Sequence, residues 1–355
     1  MSSTELKKGF TTGTCAQAAT KGACIMLANR KLVDEVDVET PSGAKLRIGL
    51  LRPELGDDFA RCAVVKDAGD DPDVTDGAIV CAEVRLTDKS EIEIKGGEGV
   101  GKATKPGLAV RVGEWAINPT PKKMIIAEAS KFLSKGKGLE VTISVPGGEE
   151  LARKTYNPRL GIVGGISIIG TTGIVEPKSL DAYKASLSLE LDVMSAEGYN
   201  RAVFVLGYVG MKFCQEALGI KEDSIIKTGD HVGFMLEEAA KRKFKEALLV
   251  GHIGKLIKVA NGQFNTHSKF GDNRVDSIAR YAASCGANEE ILKSILKETT
   301  AEATINVLRE NGLTKAFERI AADVSERASE LTGGKMKIDC IILSLEGEVL
   351  AKTIS

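Results

Sequence analysis

The sequence is poor in several features that commonly indicate a function. Its 355 residues include 48 basic and 49 acidic side chains, so it lacks the basic excess typical of nucleic-acid-binding proteins. It has no run of about 18 apolar residues, which argues against a membrane-spanning helix. The first ten residues, MSSTELKKGF, lack the apolar core of a signal peptide. We therefore expect a cytoplasmic protein with no nucleic-acid or membrane partner.

Metal-binding and nucleophilic signatures are also scarce. The seven cysteines are scattered and form no C-x-x-C pair, so we expect buried, reduced thiols. The three histidines do not have the spacing of zinc ligands, and no metal site on the protein is predicted. The sequence has no G-x-S-x-G elbow and no Cys-His signature, so nucleophilic hydrolysis has no support.

Two loops come close to known ligand-binding patterns. Residues 96–103, GGEGVGKA, nearly fit the phosphate-binding loop, but Ala103 replaces the hydroxyl residue and Pro106 prevents a helix from following. A basic loop for an anion is the better interpretation. Residues 66–77, KDAGDDPDVTDG, do not fit the calcium loop of an EF-hand. Their aspartates, which include Asp70 and Asp71, indicate either a solvated turn or an active-site loop.

Charge is divided unevenly along the first half of the chain. Residues 54–93 contain twelve acidic and four basic side chains, whereas residues 96–159 contain eleven basic and six acidic ones. A solvated surface accounts for most such blocks. The basic block could also bind the carboxylates of a substrate through charge-assisted hydrogen bonds.

The length predicts about two domains, an α+β domain over residues 1–155 and an α/β domain over residues 156–355. In the first, a helix over 15–29, with Thr12 or Thr14 as its N-cap, precedes short strands. These strands cover residues 35–40, 45–51, 62–65, 79–86 and 91–94, and a helix over 122–133 and a strand over 139–145 follow.

The second part alternates strands with helices. Strands are predicted at 162–169, 202–206, 224–227 and 247–250, and helices dominate 273–331 before a last strand at 338–343. This alternation predicts a Rossmann-like fold with a mostly parallel sheet. Each of the first four strands ends near a glycine and a polar residue. Because ligands of open α/β sheets bind at the carboxyl ends of the strands, we predict a nucleotide-like cofactor site there. Ordinary β–α turns without a ligand are the alternative.

The predicted cofactor-binding residues share this position after a strand. They are Gly170, Thr171, Thr172, Gly173, Gly207, Thr228, Gly229 and Asp230. His252 follows another strand and is the candidate catalytic residue. His267 and Ser268 lie in a long polar loop of the kind that is often functional. For both histidines, a hydrogen-bonded surface role remains the alternative.

Several strings together resemble one family, the cobalt-precorrin-5B C-1-methyltransferases of anaerobic cobalamin biosynthesis. They span residues 8–281 and include KGFTTGTCAQAATKGA, GGEGVGKATKPGL, NPRLGIVGGISIIGTTGIVEP, KTGDHVGFML and GHIGKLIKVANGQFNTHSK. The resemblance implies S-adenosylmethionine as methyl donor and a cobalt-bound tetrapyrrole as acceptor, with cobalt-precorrin-6A as product. Cobalt would arrive inside the substrate. The usual glycine loop of Rossmann methyltransferases is absent, and GGISIIGTTG would have to replace it.

The candidate substrate-binding residues come from the hydroxyl-rich start, the aspartate loop and the glycine-flanked basic segments. They are Thr11, Thr12, Thr14, Asp70, Asp71, Lys102, Lys105, Lys255, His267 and Ser268. Two rival functions stay open at this stage, a nucleotide-cofactor oxidoreductase and a tetrapyrrole-binding protein without chemistry. The sequence leaves a homo-oligomer open as well.

Overall fold

The computed structural model describes residues 6–133, 136–271 and 273–354. The chain divides into two compact units, Met1–Leu180 and Asp181–Ser355. This division lies after Leu180, whereas the sequence analysis places the domain boundary after residue 155. Among the described residues, no helix has both the length and the apolar character needed to cross a membrane.

The first unit contains three helices and thirteen short strands in its described part. The helices are α1 (Thr12–Asn29), α2 (Pro119–Ser130) and α3 (Gly148–Ala152). The strands are β1 (Gly9–Phe10), β2 (Glu35–Glu39), β3 (Lys45–Gly49), β4 (Leu51–Leu55), β5 (Phe59–Val65), β6 (Ile79–Thr87), β7 (Ile92–Gly96), β8 (Gly99–Val100), β9 (Lys102–Ala103), β10 (Gly138–Ser144), β11 (Ile162–Val163), β12 (Gly165–Ile166) and β13 (Ile174–Val175).

A five-stranded sheet supports the buried helix α1. Its order is β4-β5-β6-β10-β7, antiparallel except for the β10–β7 pair. Four of the five alanines of α1 are buried, Ala19 and Ala23 among them, and their small size lets the helix lie close to the strands. Thr11 caps α1, because its hydroxyl accepts a hydrogen bond from the Thr14 N–H. The prediction of Thr12 or Thr14 as the N-cap is therefore wrong, because the N-cap lies one residue before Thr12 and three before Thr14.

The predicted strand over 162–169 is absent from the parallel sheet. Ile162–Val163 instead pairs with Lys102–Ala103, and Gly165–Ile166 pairs with Gly99–Val100. Both partners belong to the first unit, which is why residues 157–175 fold with it. The turn 170–173 therefore does not follow a strand of the second sheet, and that part of the prediction is wrong.

The second unit contains eight α-helices, two short 3-10 helices (Glu222–Ser224 and Ser268–Phe270) and five strands in its described part. The helices are α4 (Leu180–Ala196), α5 (Tyr208–Glu216), α6 (Val232–Lys241), α7 (Ile253–Ala260), α8 (Arg274–Ser284), α9 (Glu289–Lys297), α10 (Thr304–Glu310) and α11 (Lys315–Leu331). The strands are β14 (Arg201–Leu206), β15 (Ile225–Lys227), β16 (Glu246–His252), β17 (Lys337–Leu343) and β18 (Val349–Lys352).

These five strands form one mixed sheet in the order β15-β14-β16-β17-β18. The first three pairings are parallel and the β17–β18 pairing is antiparallel. Side chains alternate between two faces: Phe204 and Leu249 join one buried cluster, and Val205 and Val250 join the other. A strand covered on both faces reads as a continuous apolar run, which is the pattern in the sequence.

The cysteines are free thiols, as the sequence predicts. Five are buried and two are half-buried. Burial raises the pKa of Cys15, Cys24 and Cys62 to about 12. These thiols stay protonated at neutral pH and behave as small apolar side chains.

Candidate active site

The carboxyl ends of β14, β15 and β16 lie side by side on the second sheet. The chain leaves β14 for β15 on one side and then reaches β16 on the other side, so the strand order reverses between β14 and β16. Ligands of open α/β sheets bind in the crevice at such a reversal. The structure thus brings Gly207, residues 228–230 and His252 to one sheet edge. We call these residues, together with Tyr208, the edge site.

Gly207 and Tyr208 leave open space at the end of β14. Gly207 has φ 122° and ψ −179°, a backbone conformation that is essentially restricted to glycine. A Cβ atom at Gly207 would meet no heavy atom of the described residues within 4 Å, so a ligand can approach the backbone. Tyr208 begins α5 with 77% of its surface exposed. An exposed aromatic ring beside open backbone suits a flat, partly apolar ligand.

Asp230 is held by two hydrogen bonds at the end of β15. Lys255 Nζ lies 2.6 Å from its Oδ1, and Thr266 Oγ1 donates to the same oxygen at 2.8 Å. Partial burial by itself raises the pKa of Asp230. The hydrogen bonds from Lys255 and Thr266 outweigh that effect, and the pKa lies below its ordinary value. Asp230 is therefore a carboxylate at neutral pH.

An aromatic pair stands next to this carboxylate. The rings of Tyr183 and His231 have centroids 5.7 Å apart and are tilted by 60°. A Cβ atom at Gly229 would lie 3.0 Å from the Tyr183 hydroxyl, so this hydroxyl lies close to the glycine backbone. Burial and the charge of Lys184 lower the pKa of His231, which keeps its ring neutral at neutral pH.

His252 has both ring nitrogens hydrogen-bonded inside the unit. Its Nδ1 accepts from the Gly254 N–H at 3.1 Å, which caps α7. Its Nε2 lies 2.7 Å from Glu302 Oε2 and is the donor there, because Nδ1 acts as the acceptor. Glu302 also accepts from the Leu345 N–H at 3.1 Å. These contacts give His252 a role in positioning the strand end, and its catalytic role stays a prediction.

His267 and Ser268 line a small basic cleft beside Asp230. The cleft holds about 160 Å³, and Lys255, Lys258 and Arg274 also line it. The Lys258 ammonium is buried and donates to the carbonyls of Thr266 and Gly271 at 3.2 and 3.0 Å, so it shapes the loop. His267 caps the short turn that follows, because its Nδ1 accepts from the Lys269 N–H.

The predicted hydroxyl-rich segment of the first unit is bound to the protein's own backbone. Thr12 Oγ1 accepts from the Ile169 N–H at 2.9 Å, and Thr14 Oγ1 donates to the Gly173 carbonyl at 2.7 Å. The Thr11 N–H also donates to Gly173, at 3.1 Å. We call Thr11, Thr12 and Thr14 with residues 169–173 the threonine cluster. The three threonines are buried, and the contacts support a structural role.

The aspartate loop is tied to backbone groups as well. Asp70 Oδ2 accepts from the Lys7 N–H at 2.6 Å, and Asp71 Oδ1 accepts from the Lys178 N–H at 2.8 Å. Both bonds join segments that are distant in sequence. The contacts of Asp70 and Asp71 therefore support the solvated structural turn, and substrate binding by them stays a prediction.

The basic residues of the first unit differ in their surroundings. Lys102 is exposed, and its Nζ lies 4.2 Å from the centroid of the Trp115 ring. Lys105 is half-buried, and its stem packs against Gly161. The segment 96–103 forms short strands and no helix, so it does not have the architecture of a phosphate-binding loop.

Sequence reasoning missed three residues of the edge site and its surroundings: Tyr208, Tyr183 and Glu302. Tyr208 directly follows Gly207, and this adjacency at a strand end was a usable signal. Glu302 lies 50 positions from its partner His252, and no local pattern connects the two.

Comparison with known families matches residues 1–177 to CbiD and residues 265–354 to the CbiD C-terminal domain. A curated relative from Thermoanaerobacter sp. (strain X514) is named cobalt-precorrin-5B C(1)-methyltransferase. It is 45% identical over 350 residues, which cover 98% of this chain and 95% of the relative. The chain belongs to the CbiD family.

Other CbiD relatives agree over similar lengths. One from Methanocaldococcus jannaschii has the same name and is 45% identical over 98% of this chain and 96% of its own. A solved structure, the cobalamin biosynthesis protein (cbiD) from Archaeoglobus fulgidus, is 32% identical, with a TM-score of 0.40. That match covers 76% of this chain and 84% of the other. The first CbiD region ends at residue 177, near the division between the two units.

Proposed function

We propose that this chain transfers a methyl group from S-adenosylmethionine to C-1 of cobalt-precorrin-5B and forms cobalt-precorrin-6A. The observation that carries this proposal is the alignment over 98% of the chain with relatives named for C-1 methylation of that substrate. The names of these relatives state only the methyl transfer to cobalt-precorrin-5B. The proposal therefore adds S-adenosylmethionine as the donor and cobalt as a component of the substrate alone. We further propose a cytoplasmic location.

We propose the edge site as the donor site, on a Rossmann-like interpretation of the second unit. Three observations support this assignment. The backbone at Gly207 is open to a ligand, and the exposed Tyr208 ring offers a stacking surface for the adenine base. Asp230 can accept hydrogen bonds from ribose hydroxyls or from the ammonium group. Lys255 and Arg274 line the adjacent cleft and can pair with the carboxylate of the donor.

The threonine cluster is not part of the proposed donor site. The Thr12 and Thr14 hydroxyls and the Gly173 carbonyl are already hydrogen-bonded within the first unit. A Cβ atom at Gly170 would overlap the Thr11 side chain, so there is no ligand-sized space over that backbone. These contacts favour a structural purpose for the glycine at position 170.

The chemistry needs alignment more than acid–base catalysis. When bound, S-adenosylmethionine supplies the methyl group: its carbon–sulfur bond breaks as the carbon–carbon bond forms, and sulfur keeps the electron pair in S-adenosylhomocysteine. Such an in-line displacement is accelerated by orientation and by exclusion of water. The edge residues suit this requirement, because Gly207 and Tyr208 shape a surface while His252 is fixed by Gly254 and Glu302.

The decisive experiment combines a binding titration with a labelled transfer assay. The purified chain is titrated by calorimetry with S-adenosylmethionine and with NADP, and is then incubated with cobalt-precorrin-5B and methyl-deuterated donor. We expect donor binding, no dinucleotide binding, and transfer of the labelled methyl group detected by mass spectrometry. Dinucleotide binding alone would instead favour the oxidoreductase, and tetrapyrrole binding without transfer would favour the non-catalytic binding protein.

A further inference from the structure

The first unit contains a cleft that the sequence analysis did not single out. It holds about 460 Å³ and lies between the start of α2 and the segment that leads into that helix. Its apolar surface comes from Ile94, Val110, Trp115, Ile117 and Ile126. Small-molecule sites typically have volumes of about 300–1,000 Å³ with mainly apolar walls and a few polar groups. The cleft meets that description.

The Trp115 ring is fixed in place by its neighbours. A Cβ atom at Gly96 would overlap the ring, so the absence of a side chain there makes room for the indole. Lys102 Nζ lies 4.2 Å from the ring centroid, within the range of a cation–π interaction. The ring is therefore ordered before any ligand arrives, which lowers the entropic cost of binding.

Two cations line the cleft. Lys122 and Lys123 lie near the start of α2, and both are exposed. Within the described residues, neither lysine has an ion-pair partner. The acidic residue of the cleft is Glu114, whose Oε2 accepts a hydrogen bond from the Arg111 N–H at 3.2 Å. Lys122 and Lys123 outnumber Glu114, so the lining of this apolar cleft has a net positive charge, and Lys102 lies close to it over the Trp115 ring.

We propose that this cleft binds one edge of the tetrapyrrole acceptor, a flat macrocycle with carboxylate side chains. The apolar wall and the Trp115 ring would contact the macrocycle, and Lys102, Lys122 and Lys123 would pair with its carboxylates. This inference rests on the proposed function for the class of ligand. It adds the location of the acceptor and assigns roles to Trp115, Lys122 and Lys123.

The test uses a stable probe of the same chemical class, the cobalt corrin polycarboxylate cobyrinic acid. Its Kd is measured by calorimetry for the full chain and for four variants. In Lys122→Met/Lys123→Met, loss of two partly shielded ion pairs should raise Kd about tenfold and reduce its dependence on salt concentration. Lys45→Met changes an exposed lysine outside the cleft and should leave Kd unchanged.

A second pair of variants separates charge from bulk. Ala109 lines the cleft and is exposed, so substitution there should not disturb folding. Ala109→Glu adds a carboxylate and should weaken binding more than Ala109→Gln, which adds the same bulk without charge. Trp115 is the only tryptophan of the sequence, and its fluorescence reports on the cleft in each titration. The Kd values from fluorescence should agree with those from calorimetry.

Equal Kd values for the wild type, the double lysine variant and Ala109→Glu would overturn this inference. That result is distinguishable from failure of the proposed function, because methyl transfer and donor binding are measured separately. If the chain methylates its substrate but these substitutions leave the Kd of the probe unchanged, the proposed function stands and the cleft is excluded as the acceptor site. If the substitutions weaken probe binding but the chain does not transfer the methyl group, the cleft stands as a binding site and the proposed function is rejected.

Discussion

The threonine cluster and the edge site are both built from glycine and threonine, but their polar groups have different partners. In the threonine cluster, hydroxyls, backbone N–H groups and carbonyls bond to each other, and Gly170 lies against Thr11. In the edge site, Gly207 faces open space and Tyr208 is exposed. The comparison teaches that a glycine in a strained turn can serve close packing or ligand access. The neighbours of its missing Cβ decide between these roles.

The largest expected effect comes from Gly170→Val. Gly170 has φ +134°, and a side chain there would collide with Thr11. Backbone strain and overpacking should together lower the free energy of unfolding by about 3–5 kcal/mol. We expect this loss in urea denaturation, with the Kd for S-adenosylmethionine unchanged in the protein that remains folded. A variant with wild-type stability and lost donor binding would reverse our distinction between the two regions.

A smaller loss of stability is expected for Thr14→Val. Valine keeps the shape of the buried Thr14 but cannot donate to the Gly173 carbonyl. We expect a loss of about 1–2 kcal/mol in the free energy of unfolding and wild-type turnover at a permissive temperature. Thr20→Val is the matched control, because Thr20 is buried on the same helix and its hydroxyl has no hydrogen-bond partner among the residues that the structure describes. Loss of turnover without loss of stability in Thr14→Val would restore the ligand-binding interpretation.

Much of the fold follows from local sequence patterns. Short apolar segments between turn residues predict β5, β6, β7 and β10 of the first sheet but not β4. Glycines after short apolar runs predict β14, β15 and β16 with errors of one or two residues. The sequence also predicts that Gly207, residues 228–230 and His252 lie together at the carboxyl ends of the strands of the second sheet. These successes share a cause: periodicity and turn residues reflect the backbone conformation of the segment itself.

The failures concern partners that are distant in the chain. The apolar run 162–169 resembles a buried strand, but its two short pieces pair with residues 99–103, and no local signal specifies that pairing. The Thr14 hydroxyl finds a carbonyl 159 positions away, and His252 finds Glu302. A hydroxyl-rich turn has the same composition whether its partner is a ligand or the protein's own backbone.

The third prediction concerns the edge site, where the backbone at Gly207 is open to a ligand. In Gly207→Ala, the new methyl group occupies the space beside the backbone, and the positive φ is unfavourable for alanine. We expect Kd for S-adenosylmethionine to rise about tenfold, equivalent to about 1.4 kcal/mol. Gly219→Ala is the control: Gly219 also has positive φ and open space around its missing Cβ, but it lies beyond the C-terminal end of α5. Equal donor affinities in the two variants would remove Gly207 from the donor site.

The smallest expected effect is a pH-dependent one at Asp230. The pKa of Asp230 is lowered in the folded chain, so its interactions stabilise the fold above the unfolded pKa of about 3.9. That contribution is lost as the pH falls through the lowered pKa. In Lys255→Met the main donor to Asp230 is removed, and the free energy of unfolding at pH 7 should fall by about 0.5–1 kcal/mol.

The difference between Lys255→Met and the wild type should therefore be largest near neutral pH and should shrink as the pH falls below about 4. Urea denaturation across this range measures it. Lys212→Met removes an exposed ion pair with Glu216 on α5, whose atoms are 3.9 Å apart, and should show no measurable difference at any pH. A stability difference for Lys255→Met that stays constant down to pH 3 would mean that the lysine acts through packing. Asp230 would then be available to a ligand without first giving up an ion pair.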